Sequence, residues 1–246
     1  MTTAPVKDQR RLLDLQALDT RAAKLAHQRR TLPVLATLAE LEGRAEDLHR
    51  AQVEAKTLAS DTRRELAKAE SDVEQVRSRA ARHQAKLDAG TGLSRELVAL
   101  QDEVAQLAKR QAVLEEAQLE VMERLEAAEA RVADLDTQEK AIAADVERHA
   151  AERDAAFATI DGELAEVAAE RSRVAGEIGD ELLDLYEYAR RRTGGLGAVA
   201  LHGHRTDGAQ ADFSLSELAA IDAAAPEEVL TSEAHGYVLV RLDDAR

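Results

Sequence analysis

Leu87-Asp88-Ala89-Gly90-Thr91-Gly92-Leu93-Ser94 decides the fold of this chain. Between Pro33 and Gly162 it is the one place where a helical pattern is interrupted. Two glycines, with a serine able to cap a new helix, make it a chain reversal. Counting back from Leu87, a seam runs through His83, Ala80, Val76, Val73, Ala69, Leu66, Thr62, Ala59, Ala55, Gln52, Leu48, Ala45, Leu41, Leu38 and Val34, in steps of three and four. Counting forward from Leu97, it runs through Leu100, Val104, Leu107, Gln111, Leu114, Gln118, Val121, Leu125, Ala128, Val132, Leu135, Glu139, Ile142, Val146 and His149. A repeat of about 3.5 residues on both sides of a short turn predicts two antiparallel helices wound as a left-handed coiled coil. The expected tip is 89–94.

Composition agrees with long helices rather than a thick core. The chain has 246 residues, of which 33% are charged and 2% aromatic, and no aromatic residue precedes Phe157. More than half of it therefore cannot be a conventional globular domain. There is no cysteine, which excludes disulfides and thiolate-held metals. The start is polar, with no apolar segment of signal-peptide type, and no run is long enough to span a membrane. The expected location is cytoplasmic. A net charge of -15 favours solubility and opposes long-range attraction to nucleic acid.

Outside the hairpin, the expected helices are 4–31, 33–88, 94–177 and 178–193, with Thr31-Leu32-Pro33 breaking the first from the second. The descending helix is longer than the ascending one. If partners are related about the tip, the first helix faces the surplus, 151–177. A stutter at Ala156, Ile160, Leu164 and Val167 marks a slip in register there. After Arg190-Arg191-Arg192, the stretch Gly194-Gly195-Leu196-Gly197 reads as a hinge. Beyond it, short apolar runs alternate with turn residues, and a serine-capped helix starts near Ser214. The expected architecture is mainly α: a long antiparallel coiled-coil helical hairpin over 1–193, then a small α+β module over 194–246.

No motif supports catalysis. Gly195-x-Gly197-x-x-Ala200 matches a dinucleotide fingerprint in letters but follows a helix, so its structural context is missing. There is no phosphate-binding loop, nucleophile elbow or zinc-protease helix. His83 and His149 fall on the seam, where polar groups tune pairing. The tail's His202, His204, Asp207 and His235 are the donors from which a metal site could be assembled.

The stretches Arg11-Leu12-Leu13-Asp14-Leu15-Gln16-Ala17-Leu18-Asp19, Lys86-Leu87-Asp88-Ala89-Gly90, Glu96-Leu97-Val98-Ala99-Leu100-Gln101-Asp102-Glu103 and Leu119-Glu120-Val121-Met122-Glu123-Arg124 carry a resemblance. So do Leu185-Tyr186-Glu187, Leu201-His202-Gly203-His204-Arg205, Ser214-Leu215-Ser216-Glu217-Leu218 and Pro226-Glu227-Glu228-Val229. Over its full length the chain resembles bacterial helical-hairpin proteins that end in a four-cysteine zinc ribbon. The resemblance implies the same hairpin and a zinc-ribbon-like module. It also implies a non-enzymatic adaptor role touching nucleic acid or transcription factors, in some flagellated bacteria a sigma factor. The family's four ligands fall here on Thr206, Ala209, Ser232 and His235. With all four cysteines lost, the resemblance implies a degenerate ribbon without metal, and no cofactor is expected.

Three function classes compete: a scaffold binding a protein partner, a nucleic-acid adaptor, and an enzyme. The candidate contact residues are Arg190, Arg191, Arg192 and Arg205, beside basic residues at Arg63, Arg64, Arg77, Arg79, Arg82, Lys86, Lys109 and Arg110. After Gly194, however, three basic residues stand against nine acidic ones, a formal charge of -6, the wrong sign for gripping phosphates. The expectation is a non-enzymatic scaffold or adaptor for a protein partner, which the resemblance implies to be transcription-related. Nucleic acid is disfavoured, membrane excluded, and monomer or dimer left open.

Overall fold

The structure is a computed structural model that describes residues 2–90, 92–207 and 213–242. It is mainly helical: α1 is Val6–Arg30, α2 Pro33–Asp88, α3 Ser94–Ala175, α4 Asp180–Thr193 and α5 Leu215–Ala223. The strands are β1 (Ala198–His202), β2 (Arg205–Thr206), β3 (Leu230–Thr231) and β4 (Val238–Leu242). Contacts divide the chain into two compact units, 36–150 and 1–35 with 151–246.

The unit 36–150 is the coiled-coil hairpin. The side chains it buries, among them Leu38, Leu41, Leu48, Ala55, Ala59, Val73, Leu107, Ala128 and Leu135, all occupy the seam positions expected from the heptads. Ion pairs cross between the helices at Arg79–Glu103, Arg77–Glu115, Arg63–Glu129 and Lys56–Asp136. One number rises as the other falls, which is antiparallel pairing. Each such surface pair contributes about 0–1 kcal/mol, so cohesion comes from the seam. Gln52, 3% exposed, donates from Nε2 to Asp136 (3.0 Å) and Glu139 (2.8 Å), a polar contact that favours one register.

At the tip Gly90 and Gly92 have φ of 62° and 147°, conformations that side chains bearing a Cβ rarely adopt. Ser94 is the first residue of α3 rather than its cap. Instead, the Glu96 carboxylate accepts the Leu93 N–H at 3.2 Å.

In the other unit, α1 packs along the end of α3 through Leu25, Ile160 and Val167, with Leu18, Ala22, Leu32 and Leu164 beside them. This is the pairing implied by the unequal helix lengths. Arg29 lies 4.0 Å over the Phe157 ring and also meets Asp161 at 2.9 Å.

The tail forms a four-stranded sheet of order β2-β1-β4-β3, with β1 and β4 parallel and the outer pairs antiparallel. Strand alternation sends its two faces to different helices. Ala198, Val238 and Val240 join Leu12, Leu15, Leu182 and Tyr186 in one core. Val199, Leu201 and Leu239 join Tyr237 and Ile221 of α5 in another. Ser214 caps α5 in a full capping box with Glu217, worth about 1 kcal/mol. The N-terminus is tied in as well: the Ala4 N–H donates to Glu227 O at 2.8 Å, and the Val229 N–H to Thr2 O at 3.0 Å.

One expectation needs correction. The segment 194–197 is held in place rather than hinging. Gln16 Nε2 donates to Gly195 O at 3.0 Å, and Gln16 Oε1 accepts the Gly197 N–H at 2.6 Å. On α4, Tyr186 is 0% exposed and faces the core, whereas Tyr188 is 57% exposed. Two residues apart on a helix, these side chains point to opposite sides.

Candidate interaction site

Polar side chains gather in one buried place. Asp19, on the inner face of α1, accepts from Arg171 Nε at 2.6 Å and from the Tyr186 hydroxyl at 2.7 Å. Arg171 also reaches Glu187, and Arg190 Nη1 stands 3.4 Å from Asp19. Burial by itself would raise the Asp19 pKa, but the hydrogen bonds and charges of these partners overcome it and hold the carboxyl below its usual range. Burial, then the Asp19 hydrogen bond, push the Tyr186 hydroxyl well above its usual value. The group therefore acts as a lock between α1, α3 and α4, with its donors and acceptors matched to one another. Nothing in the letters around Gln16 and Asp19 marks it, except that two polar residues interrupt the apolar face of the first helix.

Arg190, expected as a contact residue, belongs to this lock. Arg191, Arg192 and Arg205 are exposed, and the Arg192 guanidinium lies beside Gly236, where an added Cβ would stand 3.3 Å from Nη1.

In the tail, Thr206 ends the edge strand β2 and is partly buried, while Ala209 lies outside the described residues. Ser232 is 3% exposed, and its Oγ accepts the His235 N–H at 3.3 Å. His235 is exposed, its ring stacked on Tyr237 at 5.5 Å. A hydroxyl at Ser232 and one imidazole at His235 do not fit zinc, which takes four ligands from thiolates, imidazoles and carboxylates. The remaining histidines go elsewhere: His202 to Asp207 at 3.0 Å and His204 to Asp222 at 2.8 Å. Among the described residues, no three histidine, aspartate or glutamate side chains converge on one point. Two other side chains hold the module's turns. The Glu217 carboxylate accepts from the backbone N–H groups of Ser214 and Glu233 at 3.0 Å each. Arg241 donates to the carbonyls of Ala224 (2.7 Å), Ala225, Pro226 and Glu228.

The hairpin faces differ from the basic surface suggested by the sequence. Arg63, Arg64, Arg77 and Arg79 are each paired with a carboxylate. Arg82, Lys86, Lys109 and Arg110 alone of that set take no ion pair among the described residues. The exposed large apolar residues of α3 are Val98, Val113, Leu119 and Met122, none of them on the seam. Leu119 and Met122 join Leu66 and Leu125 in lining a shallow groove of about 340 Å³, edged by Glu123, Glu126 and Glu129. The signal that could have found this groove is apolar residues at heptad positions outside the seam. Among the described residues, no helix is long and apolar enough to cross a membrane.

Residues 15–194 match the CT398-like coiled coil hairpin domain. The uncharacterized protein MT2288 of Mycobacterium tuberculosis is 32% identical over 240 residues, 98% of each chain. A solved structure from Mycobacterium smegmatis is 31% identical, with a TM-score of 0.86 over 98% of this chain and 100% of that one. The structure of CT398 from Chlamydia trachomatis has a TM-score of 0.70 over 96% of this chain and 98% of that one. At 14% identity it is alike in fold.

Proposed function

The chain belongs to the CT398-like coiled-coil hairpin family, and from that premise we propose that it is a non-enzymatic scaffold that binds a protein partner through the hairpin. The observation that carries this reading is the set of large apolar side chains on α3 that the hairpin does not use for its own cohesion: Val98, Val113, Leu119 and Met122, each 45–65% exposed. Exposed apolar surface rimmed by charge is typical of protein contacts. The tail is read as a ribbon-derived module that has exchanged its metal for packing on both faces of the sheet, with Glu217 and Arg241 bracing its turns. Phosphate binding is the weaker reading. The exposed Arg205 stands in a tail of formal charge -6, with Arg191 and Arg192 just before it at the end of α4, and the unit 36–150 offers no aromatic side chain on which bases could stack.

Capture from a lysate of the producing cell tests this. The immobilised full chain should retain a defined protein, and nuclease treatment should leave that retention unchanged. Retention that disappears with nuclease treatment would reverse the assignment in favour of nucleic acid.

A further inference from the structure

We propose that the groove lined by Leu119 and Met122 is a docking site for a basic amphipathic helix of the protein partner. The inference rests on the scaffold reading and names the partner's chemistry.

Leu119 and Met122 are 59% and 45% exposed, one turn apart on α3 and clear of the seam through Gln118, Val121 and Leu125. Leu66 of α2 and Leu125 close the groove floor. Such a trough accepts side chains spaced three and four apart on an incoming helix, and methionine adapts its shape to what it meets.

Charge selects the occupant. Glu116, Glu120, Glu123 and Glu126 flank the two apolar residues and take no ion pair among the described residues. They cover about 15 Å of helix, so an incoming helix with lysine or arginine beside its apolar stripe meets several of them at once. The neighbouring arginines do not offset these carboxylates, since Arg63 is engaged by Glu129 and Arg124 by Glu65. The same charge excludes other occupants. A second copy meeting this groove across a two-fold axis would bring the same carboxylates face to face. Phosphate backbones and anionic lipid carry the repelled sign.

The test uses the full chain and two labelled synthetic helical peptides of ~18 residues, each with leucines at i, i+3, i+4 and i+7. The remaining positions are lysine in one peptide and glutamate in the other. Fluorescence anisotropy should show binding of the lysine peptide only. The double variant Leu119→Ser/Met122→Ser should weaken it about tenfold or more, as should Glu120→Lys/Glu123→Lys. Val53→Ser, an exposed apolar residue of α2, should leave it unchanged. These positions are on the surface, so circular dichroism should show every variant as helical as the parent. Equal binding by all variants would mean that net charge alone attracts the peptide, overturning the site. A chain that self-associates and becomes monomeric with Leu119→Ser/Met122→Ser would overturn it in favour of a second copy. If lysate capture survives Leu119→Ser/Met122→Ser, the scaffold reading stands and this groove is not its site.

Discussion

Gly197 is pressed flat against the ring of Tyr186: a Cβ added to Gly197 would stand 2.4 Å from Tyr186 Cε2. Tyr186 is itself 0% exposed and tied through its hydroxyl to Asp19 at 2.7 Å, so it cannot swing away. The backbone therefore enters β1 pressed against the Tyr186 ring of α4, and only glycine leaves room for it.

Gly197→Ala should accordingly destabilise this unit by about 1–3 kcal/mol, the usual cost of overpacking. Gly179→Ala, where an added Cβ meets nothing within 4 Å, should cost much less. Denaturant unfolding of the two variants makes the comparison, and equal midpoints would contradict the close contact.

Asp19→Ala leaves Arg171 with Glu187 alone and takes the 2.7 Å partner from the buried Tyr186 hydroxyl, and should cost about 1–3 kcal/mol. The pH dependence has a defined sign. The folded pKa of Asp19 lies below its unfolded value, so its contribution is complete above the ordinary carboxylate range near pH ~4. It is lost as pH falls through the lowered folded value. Unfolding free energy measured across that acidic window should fall more steeply for the parent than for Asp19→Ala. Parallel curves would contradict the lock.

The hairpin was legible because a seam is a periodic signal: Leu38, Leu41, Leu48 and Leu135 are buried where counting from the tip puts them. The tail's core was half legible. The apolar runs marked the strands but not which helix each residue faces: Val199, Leu201 and Leu239 pack with Tyr237 and Ile221, while Val238 and Val240 face α1 and α4. A sheet covered on both faces has no polar side to mark the alternation. Gln16 holding Gly195 and Gly197 was not legible, since a contact across about 180 positions leaves no local pattern. Glycines without such a partner read as a hinge. The groove at Leu119 and Met122 was passed over because the heptad count attends to the seam alone.

The seam also makes a direct prediction about connectivity. Val76 and Leu114 line one stretch of the hairpin groove, in the register set by Arg77–Glu115 and Arg63–Glu129. Cysteines replacing them should crosslink within a single chain, giving a faster-migrating monomer under non-reducing denaturing electrophoresis. Crosslinks formed only between chains would contradict the intramolecular hairpin.

The tail should keep its stability when metal is withheld. Its sheet is packed on both faces, and the donors at Ser232 and His235 do not suit zinc. Thermal melts of untagged protein with and without chelator should therefore coincide. About one equivalent of zinc by elemental analysis, lost together with tail structure on chelation, would contradict this.

The most direct test of the interaction account is a photocrosslinking amino acid placed at Met122 in the producing cell, with the same substitution at Val53 as comparison. Both side chains are exposed, at 45% and 53%, so accessibility alone does not separate them. The account predicts a discrete protein adduct from position 122, resistant to nuclease, and none of that size from position 53. Identical adducts from the two positions, or adducts that nuclease removes, would contradict it.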